Sequence, residues 1–122
     1  MAQNETRGAF EFLLSEANSE RSRRVGTIES GQTLKAGHVL GQVSSSGEFK
    51  EYNPGNADGS ETAVAILGHD VDASDSAKEA TIIDRDAEAH GDLVVWFDGA
   101  TDAEITTGEN ELDAQSRIRV RH

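Results

Sequence analysis

Residues 30–43, Ser30-Gly31-Gln32-Thr33-Leu34-Lys35-Ala36-Gly37-His38-Val39-Leu40-Gly41-Gln42-Val43, decide how this chain folds. Gly31, Gly37 and Gly41 fall six and four residues apart. Glycine reaches positive φ without steric penalty, so Ser30-Gly31 and Ala36-Gly37 read as tight turns. The apolar residues Leu34, Val39, Leu40 and Val43 lie between and after them in runs too short for a helix. Each glycine would also cost a helix about 1 kcal/mol relative to alanine. The stretch therefore reads as short strands joined by turns, and Gly31, Gly37 and Gly41 as its structural turn residues.

Toward the C-terminus the same grammar continues. Residues 44–47 form a serine-rich turn, and Glu48-Phe49-Lys50-Glu51-Tyr52 alternates well enough to return as the hairpin partner of residues 38–43. The clearest loop, residues 53–60, holds the only proline. Residues 62–67, TAVAIL, are continuously apolar after Thr62, as expected of a central strand covered on both faces. Residues 68–79 read as an acidic loop, 80–84 as a strand, 87–92 as a turn through Gly91, and 93–97 as the most hydrophobic strand, burying the single Trp. Residues 98–116 are weakly patterned: Thr107 or Asp102 would cap a helical turn toward Leu112, with Gly108 interrupting it. Ile118 and Val120 alternate with Arg117, Arg119 and Arg121, the pattern of a terminal strand with a charged outer face.

Toward the N-terminus, Val25-Gly26-Thr27-Ile28 is a short strand, and residues 15–24 contain no large apolar side chain. Before that tether comes AFEFLL, where Phe10, Phe12 and Leu14 share one face of an extended segment, with Glu11 and Leu13 on the other. Such a strand either folds back on its own domain or adds to the sheet of another chain. The arm reading is preferred, because two of the four phenylalanines lie outside the main apolar block.

At 122 residues, with 35% hydrophobic and 5% aromatic content, the chain reads as one domain with a modest core, for which self-association is a natural way to bury more surface. It has no cysteine, so disulfides and thiolate metal sites are excluded. No run reaches transmembrane length, and Phe12-Leu13-Leu14 is too short for a signal h-region. Residues 25–116 hold four basic residues against 19 acidic ones, a local balance of −15, whereas residues 1–24 are neutral. An acidic body repels nucleic acid and anionic membranes, so neither is an expected partner.

The order FLLSEANSERSR, a Val/Thr/Ile strand, GQTLKAGHVLGQV, GEFKEYNPGNADGSETAVAILGHDVDAS and ATIIDRDAE, spanning Phe12 to about Glu88, resembles the head decoration proteins of tailed, lambda-like phages. The resemblance implies an all-β fold, a small β-tulip-like barrel or sandwich with an extended N-terminal arm, divided into an arm at residues 1–24 and a decoration domain at 25–122. It implies a homotrimer on the outer surface of the virion capsid, made in the host cytoplasm. There it would dock at three-fold positions of the expanded shell and clamp neighbouring copies of the major capsid protein. Phe12, Leu13, Leu14, Ser15, Glu16 and Ala17 match the family's arm motif and, with Phe10, are the expected capsid-binding residues. Two departures stand out: Arg85-Asp86 replaces the family's Arg-Gly, and acidic DAEITTGENELDAQ replaces an alanine-rich helix before the C-terminus.

Other chemistries find less support. AGHVLGQV also resembles the hairpin of biotinyl and lipoyl carriers, but no lysine here is displayed between methionines, and Met1 is the only methionine. His69, Asp70, Asp72 and Asp75, with His38, His90 and Asp92 elsewhere, invite a metal or hydrolytic site, yet the EF-hand spacing is absent and a solvated acidic loop explains them. No nucleophile elbow or phosphate loop is present, so no enzyme activity and no cofactor is expected. A surface module that binds host glycans is the competing class and would require exposed aromatic platforms.

Arginine outnumbers lysine eight to three, and with so many carboxylates this composition fits either a halophilic host or an ordinary acidic surface. At 1 M salt, screening acts over about 3 Å and removes the self-repulsion. Thermal melting across salt concentrations separates the two: the halophilic reading expects melting temperature to fall as salt is diluted, and indifference to dilution contradicts it.

Overall fold

A computed structural model describes residues 12–16 and 23–121. In chain order the elements are β1 (Leu13–Glu16), β2 (Arg23–Ile28), β3 (Gln32–Leu34), β4 (Val39–Gln42), β5 (Phe49–Glu51), β6 (Ala65–Leu67), β7 (Val71–Ala73), β8 (Lys78–Ile83) and β9 (Ala87–His90). A 3-10 turn (Gly91–Leu93), helix α1 (Asp102–Ser116) and β10 (Ile118–Arg121) complete the elements of the described residues. Five strands close into a barrel in the order β2-β5-β4-β6-β8, flanked by a three-stranded sheet β1-β9-β10 and a two-stranded sheet β3-β7. Among the described residues the fold is mostly β with a single α-helix, in keeping with a small all-β domain.

The barrel strands feed two cores at once. Leu40, Ala65, Leu67 and Ile82 join Ile28 and Phe49 in one cluster, whereas their neighbours Val39, Ile66 and Ile83 join Phe12, Tyr52, Phe97, Leu112 and Ile118 in another. Successive side chains on a strand point to opposite faces, so a strand with apolar matter on both sides needs consecutive apolar residues. Val39-Leu40, Ala65-Ile66-Leu67 and Ile82-Ile83 supply them, and all of these are buried. The expected central strand is thus confirmed over Ala65–Leu67, between β4 and β8. The expected hairpin also forms, with Leu40 opposite Glu51 and Gln42 opposite Phe49.

Gly31 and Gly37 adopt φ of 95° and 92°, as turn residues should. Gly41 is different: it is not a turn residue but lies within β4. A Cβ there would fall 2.5 Å from the Ser60 Cα and closer still to the Ser60 carbonyl oxygen, so glycine permits the 53–60 loop to pass against the strand.

Four sequence expectations are corrected. The acidic stretch 68–79 contains β7, which pairs antiparallel with β3 from Gln32↔Ala73 to Leu34↔Val71. Residues 87–92 do not simply turn: Ala87–His90 is the middle strand of the three-stranded sheet, and its two alanines face the core. Residues 93–97 form no full strand. They hold an isolated bridge from Val95 to His38, with Val95 bonding Val39 N–H and Gly37 carbonyl at 2.9 and 2.8 Å, and Trp96 is only half-buried.

The fourth correction is α1, a 15-residue helix where a broken turn was expected. Its N-cap is Thr101, whose hydroxyl accepts the Glu104 N–H at 3.2 Å while Glu104 accepts the Thr101 N–H at 3.0 Å, a reciprocal capping box. The buried positions Gly108, Leu112 and Ser116 recur every four residues, and only one is a large apolar residue, so the stripe is nearly invisible to periodicity. Gly108 does not break the helix because the Trp96 ring lies where its Cβ would be. Ser116 donates to the Val64 carbonyl at 2.7 Å and Glu111 accepts the Ala63 N–H at 3.0 Å, tying the helix to the chain just before β6.

Gly41→Ala forces a methyl group against backbone that cannot rotate away, so it is expected to destabilise by about 1–3 kcal/mol. Urea unfolding of the variant checks this, and an unchanged midpoint contradicts the close approach.

Candidate functional site

The sequence expected Phe12 and Leu14 to share one face of a free strap. The structure differs because β1 carries a bulge. Leu13 pairs with Ala89 but Ser15 with Glu88, so one residue, Leu14, is extra on the β1 side. A bulge re-aims the side chains around it. Phe12 accordingly enters the core and is fully buried, Leu13 packs against the same cluster, and Leu14 faces solvent at 50% exposure. The Phe12 carbonyl accepts the His90 N–H at 2.6 Å, extending the contact with β9 by one residue.

The preference for an arm over a fold-back strand is therefore corrected for this segment: residues 12–16 are folded onto their own domain. Burying Phe12 fully contributes about 1.5–3 kcal/mol, enough to hold a short edge strand in place. The arm as drawn, residues 1–24, also gives Arg23 and Arg24 to β2. Phe10 and Ala17 lie outside the described residues. The backbones of Ser15 and Glu16 belong to β1. Of the expected contact residues, Leu14 is thus the one whose described side chain is offered to a partner. It and Val25, 63% exposed on β2, are the exposed large apolar residues among those described.

β1 lies at one edge of its sheet and β10 at the other, with β9 between them, antiparallel to β1 and parallel to β10. Arginines gather around β9 and the turn before it. Arg24 Nε bonds Asp84 Oδ2 at 2.7 Å and its guanidinium lies 5.9 Å above the Phe49 ring; Arg117 reaches Asp86 at 3.5 Å and Arg121 reaches Glu88 at 3.1 Å. Asp86 and Arg117 both adopt φ of 52°. The first explains a departure noted above: aspartate stands at a left-handed position that favours glycine, and its short polar side chain tolerates that backbone.

The residues considered for metal or catalysis have structural work. His69 Nε2 accepts the Thr81 N–H at 3.1 Å, Asp70 accepts the Ala36 N–H at 2.8 Å, and Asp72 accepts from the Ser74 hydroxyl and N–H at 2.6 and 3.0 Å. Hydrogen bonds from Ser74 hold the Asp72 carboxyl below its usual range. In the 53–60 loop, hydrogen bonds from the Ser60 hydroxyl and N–H, aided by Lys50, lower Asp58 to about 2. Among the described residues no group of three or more His, Cys, Asp or Glu is placed to hold a metal ion.

An aromatic platform is also missing among the described residues. Phe49, Tyr52 and Phe97 are buried, and Trp96 stacks edge-on to Tyr52 with centroids 5.9 Å apart. Burial, with Glu111 and Glu104 nearby, pushes the Tyr52 hydroxyl up to about 12, so this phenol stays neutral inside the fold. Sequence reasoning missed β9 although Ala87-Glu88-Ala89-His90 alternates small apolar and polar residues; that period-two signal was there to be read.

Phe12→Ala empties a core position and is expected to cost about 3–5 kcal/mol, whereas Leu14→Asp, at an exposed bulge, is expected to change stability by about 0.5 kcal/mol or less. Thermal melting of both variants checks this, and equal effects contradict the division of roles along β1.

The family model of the bacteriophage lambda head decoration protein D matches residues 2–118, nearly the whole chain. No curated protein matches it. The match runs from the N-terminal strand through the barrel and helix into β10, and on that ground the chain belongs to the bacteriophage lambda head decoration protein D family.

Proposed function

We propose that this head decoration protein acts by binding alone, as a homotrimer seated at three-fold positions on the outside of the expanded capsid, where it clamps neighbouring major capsid proteins. The family membership carries the decoration role. The exposed Leu14 at the β1 bulge supports the contact, since it offers an apolar side chain on a strand that has one edge without a ladder partner among the described residues. An extended strand of the shell protein adding beside β1 would gain backbone hydrogen bonds there and cover Leu14. Residues 1–11, with Phe10, and residues 15–17 would extend the same contact.

Stabilisation then follows from mass action. A protein that binds the expanded shell better than its precursor favours the expanded state, and many modest contacts sum over a lattice. The acidic surface fits a salt-rich host, for which the salt-dilution melting above is the test.

Removing residues 1–17 would take Phe12 out of the core and confuse folding with binding. The informative variants are a deletion of residues 1–11 and Leu14→Asp, each in otherwise full-length protein. Both are expected to remain folded and to lose co-sedimentation with expanded, undecorated capsids. Undiminished co-sedimentation of the two changes combined would overturn this assignment.

A further inference from the structure

Two of the strand edges without a ladder partner in the described part of the chain carry opposite charge. β10 is the last strand of the order β1-β9-β10, and β7 is the outer strand of the two-stranded β3-β7 sheet, so each has one edge with no ladder partner among the described residues. On β10, Ile118 is buried and Val120 half-buried, while Arg119 and Arg121 are exposed. On β7, Val71 and Ala73 are buried, while Asp72 and the preceding Asp70 are exposed. Arg119 and Arg121 are two residues apart on β10, about 6.6–6.8 Å along a strand, and Asp70 and Asp72 are likewise two residues apart, Asp72 on β7 and Asp70 just before it.

We propose that copies of this chain join head to tail through these edges, β10 of one subunit adding beside β7 of the next so that Arg119 and Arg121 face Asp72 and Asp70. The proposal rests on the reading of the protein as a homotrimer and names its contact. Open edges are templates for indiscriminate pairing, and charge is the usual means of restricting it. Two β10 edges would set arginine against arginine, and two β7 edges aspartate against aspartate; like charges directly opposite are destabilising. Only the mixed pairing is complementary, and it is heterologous, the type of contact that closes into a ring when the rotation between copies permits.

The charges remain available for it. Arg119 has no ion pair among the described residues, and Arg121 shares Glu88 at 3.1 Å on the β9 side while its side chain stays 54% exposed. Asp70 accepts from Ala36 and Asp72 from Ser74 through Oδ1, and Asp72 also accepts from the Thr33 side chain; a carboxylate has about four lone-pair sites, so each keeps further acceptor capacity. Lys78 lies near Asp72 but is a single ammonium beside an exposed acidic row. β1, the other edge of the sheet, is left for the shell, so one small sheet serves both partners.

Sedimentation of full-length protein at low ionic strength tests the contact, with Arg119→Glu, Asp72→Arg and the two combined. Each single reversal is expected to weaken self-association about tenfold or more, and the combination to recover most of it. Arg119→Gln and Asp72→Asn, which keep size and remove charge, are expected to show smaller losses in the same direction, with melting curves confirming that all variants fold. A wild-type trimer that survives both reversals, or a combination worse than either alone, overturns the contact and leaves the trimer standing. A wild type that stays monomeric at every concentration overturns the trimer as well. Growth without limit as concentration rises keeps the contact but overturns three-fold closure.

Discussion

The structure depends on barrel strands that are apolar on both faces. Val39-Leu40, Ala65-Ile66-Leu67 and Ile82-Ile83 each send alternate side chains into two clusters, one within the barrel and one under the β1-β9-β10 sheet and α1. A domain of this size has little apolar material to spend on separate layers. Sharing the same short strands between two cores lets it have both. The second core is what holds the N-terminal strand: Phe12 just before β1, Ala89 from β9, Leu112 from α1 and Ile118 from β10 meet there around Ile66 and Ile83.

That arrangement changes how the N-terminal strand has to be understood. A free strap would order only on meeting the shell and would bear the entropy of ordering at that moment. Here residues 12–16 are ordered beforehand by one aromatic anchor and a ladder to β9, and the bulge turns the next apolar residue outward. Binding through a preordered edge loses less conformational entropy, and so more of the contact energy appears as affinity. In the proposed contact, the lattice partner would meet a strand already in position rather than one it must organise.

Much of this was legible in residues. The glycine turns at Gly31 and Gly37, the 38–52 hairpin, the doubly covered strand at Ala65–Leu67 and the arginine-edged terminal strand all follow from period-two patterns and turn chemistry. What was not legible has a physical cause in each case. The Leu14 bulge breaks strict alternation by one residue, which no pattern at Phe12-Leu13-Leu14 announces. Helix α1 buries a glycine, a leucine and a serine, and the glycine that looks like a breaker is the seat of Trp96. β7 is three residues long, its one outward position is Asp72, and further aspartates flank it, so it reads as acidic loop. Within the segment that sequence order singles out, only packing separates Phe12, which anchors, from Leu14, which faces outward.

Amide hydrogen exchange in the free protein and on expanded capsids tests the central claim most directly, with the His90 N–H, bonded to the Phe12 carbonyl, as the reporter. His90 and its β9 neighbours are expected to be protected before any capsid is added, with new protection confined to β1 on binding. Rapid exchange at His90 in the free protein, slowed only by the shell, would show that the strand docks on its own domain no earlier than it meets the lattice, and would contradict that claim.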